Sequence, residues 1–293
     1  MIKKRRLGNS GLQISELGFG GMSLGSDHLE NERVIRAAIE EGIDFFDTAD
    51  LYDHGFNEET VGRAVASIRQ DVYLGTKVGN IWNKDGQSWY WGPTKSYILD
   101  AVDQSLRRLR TDYIDLYQLH GGTIDDPIDE IIEAFELLKA SGKIRAYGIS
   151  SIRPNVIREY AMKSSLSSVM LQYSILDRRP EEEVLGLLQR KGVGVLARGT
   201  LAKGVLVNKA PKDYLGFTEA EVLAIQQLLN SKGDPLQLAL KFVVGAEATT
   251  SAILGIRNEA QLRSLVAGYH ASYQIDQVLS DILPAPNKYQ DHR

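Results

Sequence analysis

Four short stretches carry residues whose types could do chemistry together. FFDTADLY supplies Asp47 and Tyr52, LGTKVG supplies Lys77, LYQLHGG supplies His120, and GISS places Ser150 behind them. A phenol with an ordinary pKa of about 10 is a weak acid at neutral pH. A neighbouring ammonium favours the phenolate and so makes the phenol a better proton donor. Lys77 is suited to be that ammonium, and Asp47 to pair with it and hold it in place. An imidazole at His120 can donate a hydrogen bond that orients a carbonyl oxygen or steadies its developing charge. Together they form a proton-delivery group for carbonyl reduction. The hydride must come from a cofactor, because no protein side chain supplies one. Taken singly, each residue has a plain structural reading: a packing tyrosine, or an Asp–Lys ion pair. The argument for chemistry is joint, since all four lie at the end of an apolar run or just beyond it.

Those apolar runs read as β-strands: Glu16–Phe19, Asp44–Asp47, Val72–Thr76, Ile114–Leu119, Ala146–Ile149, Val169–Tyr173, Gly194–Ala197 and Ser251–Leu254. Helical patterns lie between them, over Glu30–Glu41, Glu58–Ser67, Lys95–Leu109, Pro127–Ser141, Asn155–Lys163, Pro180–Lys191, Pro235–Val244 and Glu259–Ala267. Pro127 and Pro180 suit first helical turns, and Asp234 suits a cap. Gly42, Gly142 and Gly192 suit helix ends. Strands alternating with helices imply a parallel sheet with right-handed crossovers. The expected fold is therefore α/β, a closed (β/α)8 TIM barrel with an N-terminal β-hairpin, and an open doubly wound sheet is the alternative. The barrel gathers strand C-termini around one pocket.

The chain reads as a single domain over 1–293, with a hairpin in 1–15 turning at Asn9–Gly11 and a frayed tail over 283–293. An extra helix is expected over Thr218–Ser231 and a final one over Ile275–Ile282. All three tryptophans, Trp82, Trp89 and Trp91, lie in one stretch after the third strand, around an Asp85–Gly86 turn signal. They read either as an aromatic cluster packing the loop onto the barrel or as an apolar wall for substrate.

The 293 residues are 43% apolar and 25% charged, which gives ample material for a core. The net charge of −4, with basic residues dispersed, argues against nucleic acid or an anionic membrane as partner. No apolar run approaches a membrane span. There is no cysteine, which excludes disulfides, thiolate nucleophiles and Cys-ligated metals and suits a cytoplasmic protein. The histidines form no HExxH pair, so no metal is expected. LGFGGMSLG invites a dinucleotide fingerprint but lacks the third glycine, Ser23 standing in its place. Asp53 and His54 read as loop residues. Arg107, Arg108 and Arg110 read as a solvated helix end.

FFDTADLY, TKVG, SLRRLRTDYIDLYQLH, GKIRAYGISS and ILGIRNEAQL stand in an order and spacing that resembles the aldo-keto reductase family over nearly the whole chain. The resemblance implies a barrel that binds NADPH, less often NADH, and reduces aldehydes or ketones. It implies Tyr52 as general acid, tuned by Lys77 and Asp47, with His120 orienting the carbonyl. It implies cofactor contacts from Gly21, Met22, Asp47, Ser150, Ser151, Leu196, Arg198, Gly199, Leu201, Lys203, Gly255, Arg257 and Gln261. The chain departs from the family pattern at several of these. Ser151 replaces an asparagine. Met170 replaces a glutamine, for which Gln172 is the candidate substitute on the same strand face. Lys203-Gly204 reverses the usual order, and Leu265 replaces an adenine-contacting asparagine. Arg257 at a helix start suits a 2′-phosphate and favours NADPH over NADH. Two further readings are a redox-sensing or channel-associated module of the same fold, and a Schiff-base lyase using Lys77. The expected partner is a small carbonyl compound, and the expected state a monomer.

Overall fold

Alternation of inward and outward side chains shapes this molecule, and it begins at the N-terminus. The computed structural model describes residues 1–272 and 285–292. Strands β1 (Lys4–Arg6) and β2 (Gln13–Ser15) pair antiparallel, Arg5 opposite Ile14, and form the expected hairpin. Then come β3 (Leu17–Gly20), α1 (His28–Glu40), β4 (Phe45–Asp47), α2 (Phe56–Val65) and β5 (Tyr73–Val78). A two-stranded excursion follows, β6 (Asn80–Trp82) and β7 (Trp89–Trp91), before α3 (Lys95–Leu109) and β8 (Ile114–Leu119). The chain continues through α4 (Ile128–Ala140), β9 (Ile144–Ser150), α5 (Pro154–Lys163), β10 (Ser168–Gln172), α6 (Val184–Lys191) and β11 (Gly194–Arg198). It closes with α7 (Glu219–Lys232), α8 (Pro235–Gly245), β12 (Thr249–Gly255) and α9 (Glu259–Ser272).

Strands β3, β4, β5, β8, β9, β10, β11 and β12 form a closed barrel in sequence order, every neighbouring pair parallel. This is the (β/α)8 barrel, and closure excludes the open sheet.

Side chains alternate across each strand. Phe45, Leu116, Ala146, Met170, Leu196 and Ile253 point inward and form an apolar layer, closed from below by Leu7, Leu12 and Ile14 of the hairpin. The intervening residues, such as Phe46, Tyr117, Leu171 and Ala197, pack against the helices in the main core. Room for the Phe45 ring comes from Gly75, where a Cβ would stand 2.9 Å from the ring. Two residues beyond Phe45, Gly75 and Leu116 on the same inward face stand Asp47, Lys77 and Gln118. The polar site is the next layer up, at the C-terminal mouth.

Helix starts follow local chemistry. Asp27 accepts from the amides of Leu29 and Glu30, Thr218 and Glu221 form a capping box, and Asp234 accepts from Leu236 N–H. The helix expected over Pro180–Lys191 is split. Arg179–Glu181 is a 3-10 turn and α6 begins only at Val184, because Glu183 leaves helical geometry at φ −151°. Pro127 precedes α4 instead of opening it. The helix expected over Ile275–Ile282 lies outside the described residues.

Within the tail expected over 283–293, residues 285–292 make defined contacts with the barrel. Asn287 Oδ1 accepts from Arg178 N–H at 2.9 Å, and His292 O accepts from Asn155 N–H at 2.9 Å. Tyr289 is buried, with the Arg179 guanidinium 5.1 Å from its ring. The segment lies as a strap beside the β9 and β10 ends of the barrel mouth.

Candidate active site

Lys77 organises the site. Its ammonium is fully buried and donates to Asp47 Oδ2 at 2.7 Å, to Thr48 O at 2.7 Å and to Tyr52 Oη at 3.3 Å. Gln118 Nε2 donates to the other Asp47 oxygen at 3.2 Å. Burial pushes the Asp47 carboxyl up, against the pull of Lys77 and Gln118. Burial also works against the Lys77 ammonium, but Asp47 and the Tyr52 hydroxyl outweigh it and hold its pKa above the usual lysine value. At 2.7 Å and with these donors, the pair stands as an ammonium beside a carboxylate. Sequence reasoning missed Gln118. Its position two residues before His120, on the inward face of β8, was the available signal.

Tyr52 and His120 meet edge to face, with ring centroids 5.6 Å apart. His120 N–H donates to Val78 O at 2.8 Å, which fixes the residue at the end of β8. Its Nδ1 is buried without a partner among the described residues. Burial, then Lys77 and Arg198, push its pKa down to about 3, so the ring is neutral. With Nδ1 sealed off, Nε2 is the ring nitrogen that reaches the cavity.

That cavity, of about 800 Å³, is lined by Tyr52, Lys77, His120, Met22, Ser150, Ser151 and Arg198 among the expected residues. Asp47 stands directly beneath, behind Lys77. Met22 is the most exposed apolar side chain at the rim, 70% accessible. Sequence reasoning missed Arg153, Arg179, Leu215 and the strap residues Lys288–His292, which also line it. Ser151 N–H is committed to Met170 O at 2.9 Å.

Other expected contacts stand outside this cavity. Leu196 is fully buried in the interior layer, so its backbone is the part left for the contact expected of it. Gln172 donates to Tyr214 Oη at 3.0 Å and is not among the residues that line this cavity, while Met170 is. Gly21 is held by Asn57, whose Nδ2 donates to its carbonyl at 2.7 Å. Leu265 is buried in the core. Gly199 turns the chain at φ 75° after β11, and beyond Leu201 come three residues at positive φ, Ala202, Lys203 and Gly204. Lys203 is exposed. At the end of β12, Gly255 passes so close to Ser23 that a Cβ would stand 2.4 Å from its Oγ. Arg257 N–H donates to Gln261 Oε1 at 3.0 Å, and Gln261 Nε2 to Gly255 O at 3.1 Å, bracing the turn into α9. The Arg257 and Lys203 side chains are exposed and have no ion-pair partner among the described residues.

The three tryptophans sit on the β6–β7 hairpin, which turns at Gly86. None lines the cavity among the described residues. Trp91 packs on Gly79 and Gly121, and its Nε1 donates to Asp126 Oδ1 at 2.9 Å. Trp82 stacks on His54 at 3.8 Å. Trp89 is half-exposed. His54 belongs to a left-handed turn, Asp53–Gly55 at φ 49°, 55° and 86°, directly after Tyr52.

The sequence model of the aldo/keto reductase family matches residues 16–280. Uncharacterized oxidoreductase YqkF of Bacillus subtilis (strain 168) is 48% identical over 283 residues, 92% of each chain. The solved aldo-keto reductase AKR11C1 from Bacillus halodurans, in its holo form, is 46% identical, covers 100% of both chains and superposes with a TM-score of 0.95. The NADH-specific methylglyoxal reductase of Escherichia coli (strain K12) is 29% identical over 303 residues, 94% of this chain and 91% of its own.

Proposed function

Because the chain belongs to the aldo/keto reductase family, we propose that its mouth cavity reduces a small carbonyl compound with NADPH, Tyr52 donating the proton. The observation that carries this is the bonding of one buried ammonium to both Asp47 and Tyr52, with Tyr52 and His120 facing one cavity.

The residues fit a nicotinamide cofactor. Lys203 and Arg257 are two exposed cations without partners among the described residues, at the ends of β11 and β12, suited to phosphate groups. Arg257 stands two residues before α9, whose N-terminus adds a favourable field for an anion. This supports NADPH over NADH, although one relative is named as NADH-specific. Ser150 borders the cavity on the β9 side and is the candidate hydroxyl for the carboxamide. A bound nicotinamide cofactor supplies the hydride.

The chain's own residues handle the proton. A neutral His120 carrying its proton on Nε2 donates to the carbonyl oxygen and orients it. Tyr52 gives its proton to that oxygen, and the Lys77 ammonium stabilises the phenolate left behind. Asp47 and Gln118 keep Lys77 aimed. The same geometry disfavours a Schiff-base reaction, because Lys77 is a protonated amine whose hydrogens are spent on Asp47, Thr48 and Tyr52. Trp82, stacked on His54 just beyond Tyr52, is the residue through which the tryptophan hairpin would meet a substrate large enough to extend outside the cavity. The proposed state is a monomer. A chain without cysteine supports a cytoplasmic location.

The test is NADPH oxidation across aldehydes, ketones and α-dicarbonyls, with NADH in parallel. Tyr52→Phe is expected to lower kcat by about 10²–10⁴ while keeping NADPH affinity. Arg257→Ser is expected to raise KM for NADPH about 10-fold or more and leave that for NADH unchanged. Tight NADPH binding with no turnover on any carbonyl would overturn the reductase reading in favour of a sensor.

A further inference from the structure

Behind Lys77, between the barrel wall and helices α2 and α3, lies a second polar cluster that the proton-delivery step does not use. Glu58 of α2 is fully buried. Its Oε2 accepts from Arg108 Nε and its Oε1 from Thr76 Oγ1, both at 2.6 Å. Asp50, in the loop after β4, faces the same ground. Glu58, Arg108 and Lys77 act on its carboxyl, as does the Leu51 amide, and the Tyr97 and Tyr117 hydroxyls feel its charge. Its Oδ1 is buried with no hydrogen-bond partner among the described residues. Two carboxyls thus share one guanidinium that is already bonded to Glu58, and the other nearby cation, Lys77, is held by Asp47. Asp50 is half-buried as a residue and the Leu51 amide bonds to its carboxyl, but a charge on the inaccessible Oδ1 has no donor of its own; that is costly, and a proton on Asp50 lowers the cost.

The backbone ties Asp50 to the catalytic pair. Its N–H donates to Lys77 O at 3.3 Å, next to the Thr48 carbonyl that receives the Lys77 ammonium. Tyr52 N–H donates to Ala49 O at 3.1 Å, closing the same loop. One short segment carries the Asp50 side chain towards Glu58 and both the Lys77 anchor and the Tyr52 donor towards the cavity.

We propose that Asp50 is a positioning residue that works as a neutral acid, its bound proton letting the 48–52 loop hold Lys77 and Tyr52 in donor geometry beside the buried Glu58. The inference rests on the reductase reading of the cavity. Burial first, then repulsion from Glu58, pushes the Asp50 pKa up to about 8, against Arg108, the Leu51 amide and Lys77. Ionisation above that pH sets two carboxylates against each other under the loop. It also offsets the field by which Lys77 stabilises the Tyr52 phenolate. Turnover therefore falls with a midpoint near pH 8. Because the folded pKa lies above the unfolded value of about 3.9, the folded state keeps a proton that the unfolded chain releases. Stability from this group is complete below about pH 4, declines as pH rises, and levels off above the folded pKa.

Asp50→Asn keeps the shape and cannot ionise. With NADPH saturating, wild-type kcat is expected to fall between pH 7 and pH 9 by about tenfold more than that of Asp50→Asn, following the protonated fraction of one group. In parallel, thermal unfolding of both proteins without cofactor is followed from pH 6.5 to pH 8.5. The wild type is expected to lose stability over that range, and the variant to lack that slope. Superimposable alkaline limbs and superimposable stability slopes would overturn the proposal. If Asp50→Asn does not fold, Glu58→Gln replaces it: removing the like charge moves the alkaline limb to lower pH, and an unmoved limb overturns the proposal. Should no carbonyl turn over in any protein, the unfolding slopes still decide the Asp50 proton. A normal reductase with unchanged slopes sinks the Asp50 inference alone.

Discussion

His120 shows how much a side chain's state depends on what surrounds it. In the sequence it is an imidazole ending an apolar strand. In the structure, burial and two cations keep it neutral, with a pKa pushed down to about 3. Since that lies below the unfolded value of about 6.5, the unfolded chain takes up a proton first as pH falls. Stability from this group is complete above about pH 6.5 and is lost as pH drops towards 3. His120→Gln keeps a neutral donor and cannot charge. Comparing thermal unfolding at pH 7 and pH 5, we predict that the wild type loses up to about 2 kcal/mol more than the variant. Equal losses would show that the ring titrates in the folded state as it does in the unfolded chain. Asp50 acts in the opposite sense below pH 6.5, so only the difference between wild type and variant reports on His120. At this scale the tetrad was readable because each member ends an apolar run. Gln118 was readable only through strand alternation. The packing of Leu196 in the interior layer and the bond of Gln172 to Tyr214 were not readable, because sequence order does not say which way a side chain at a strand end is already committed.

The β6–β7 hairpin is the element whose purpose the sequence left open. Its tryptophans divide between the two readings. Trp91 fixes the hairpin to the barrel, Trp82 leans on the turn after Tyr52, and Trp89 faces outward. Gly79 is the joint: it adopts φ 126°, and a Cβ there would stand 2.7 Å from the Trp91 ring. Gly79→Ala therefore meets both backbone strain and overpacking, and we predict a loss of about 1–3 kcal/mol in urea or thermal unfolding. The displaced hairpin would also release Trp82 from His54, so KM for large carbonyl substrates should rise more than KM for small ones. An unchanged ratio of the two would mean that the hairpin holds the fold but not the substrate. Helix starts with side-chain caps, at Thr218 and Asp234, were legible because the capping chemistry is local. The break before α6 was not, because it is made by Arg178 and Arg179 folding back on Glu181 and Asp177, and a proline at position 180 reads equally well as a helix start.

At the scale of the whole molecule, the barrel was legible from the count of alternating elements, and the strap was not. Residues 285–292 have no apolar period and no secondary structure, so their sequence reads as a free end. Their order comes from contacts more than a hundred residues distant in the chain. Asn287 accepts from the Arg178 amide, and its Nδ2 approaches Leu176 O at 3.4 Å. Tyr289 lies under Arg179, itself clamped by Asp177 at 2.7 Å. The strap then forms the cavity wall beside β9 and β10, facing Tyr52 and His120. Deleting 285–293 removes that wall without touching a bond of the tetrad, whose donors come from β4, β5, β8 and the loop after β4. We therefore predict that the shortened chain keeps kcat within a few-fold while KM for the carbonyl substrate rises about tenfold or more, equivalent to about 1.4 kcal/mol of lost binding. Steady-state kinetics at saturating NADPH separate the two. A fall in kcat at constant KM would instead mean that the strap excludes water from the reacting carbonyl, because an opened mouth weakens every electrostatic contact made inside it.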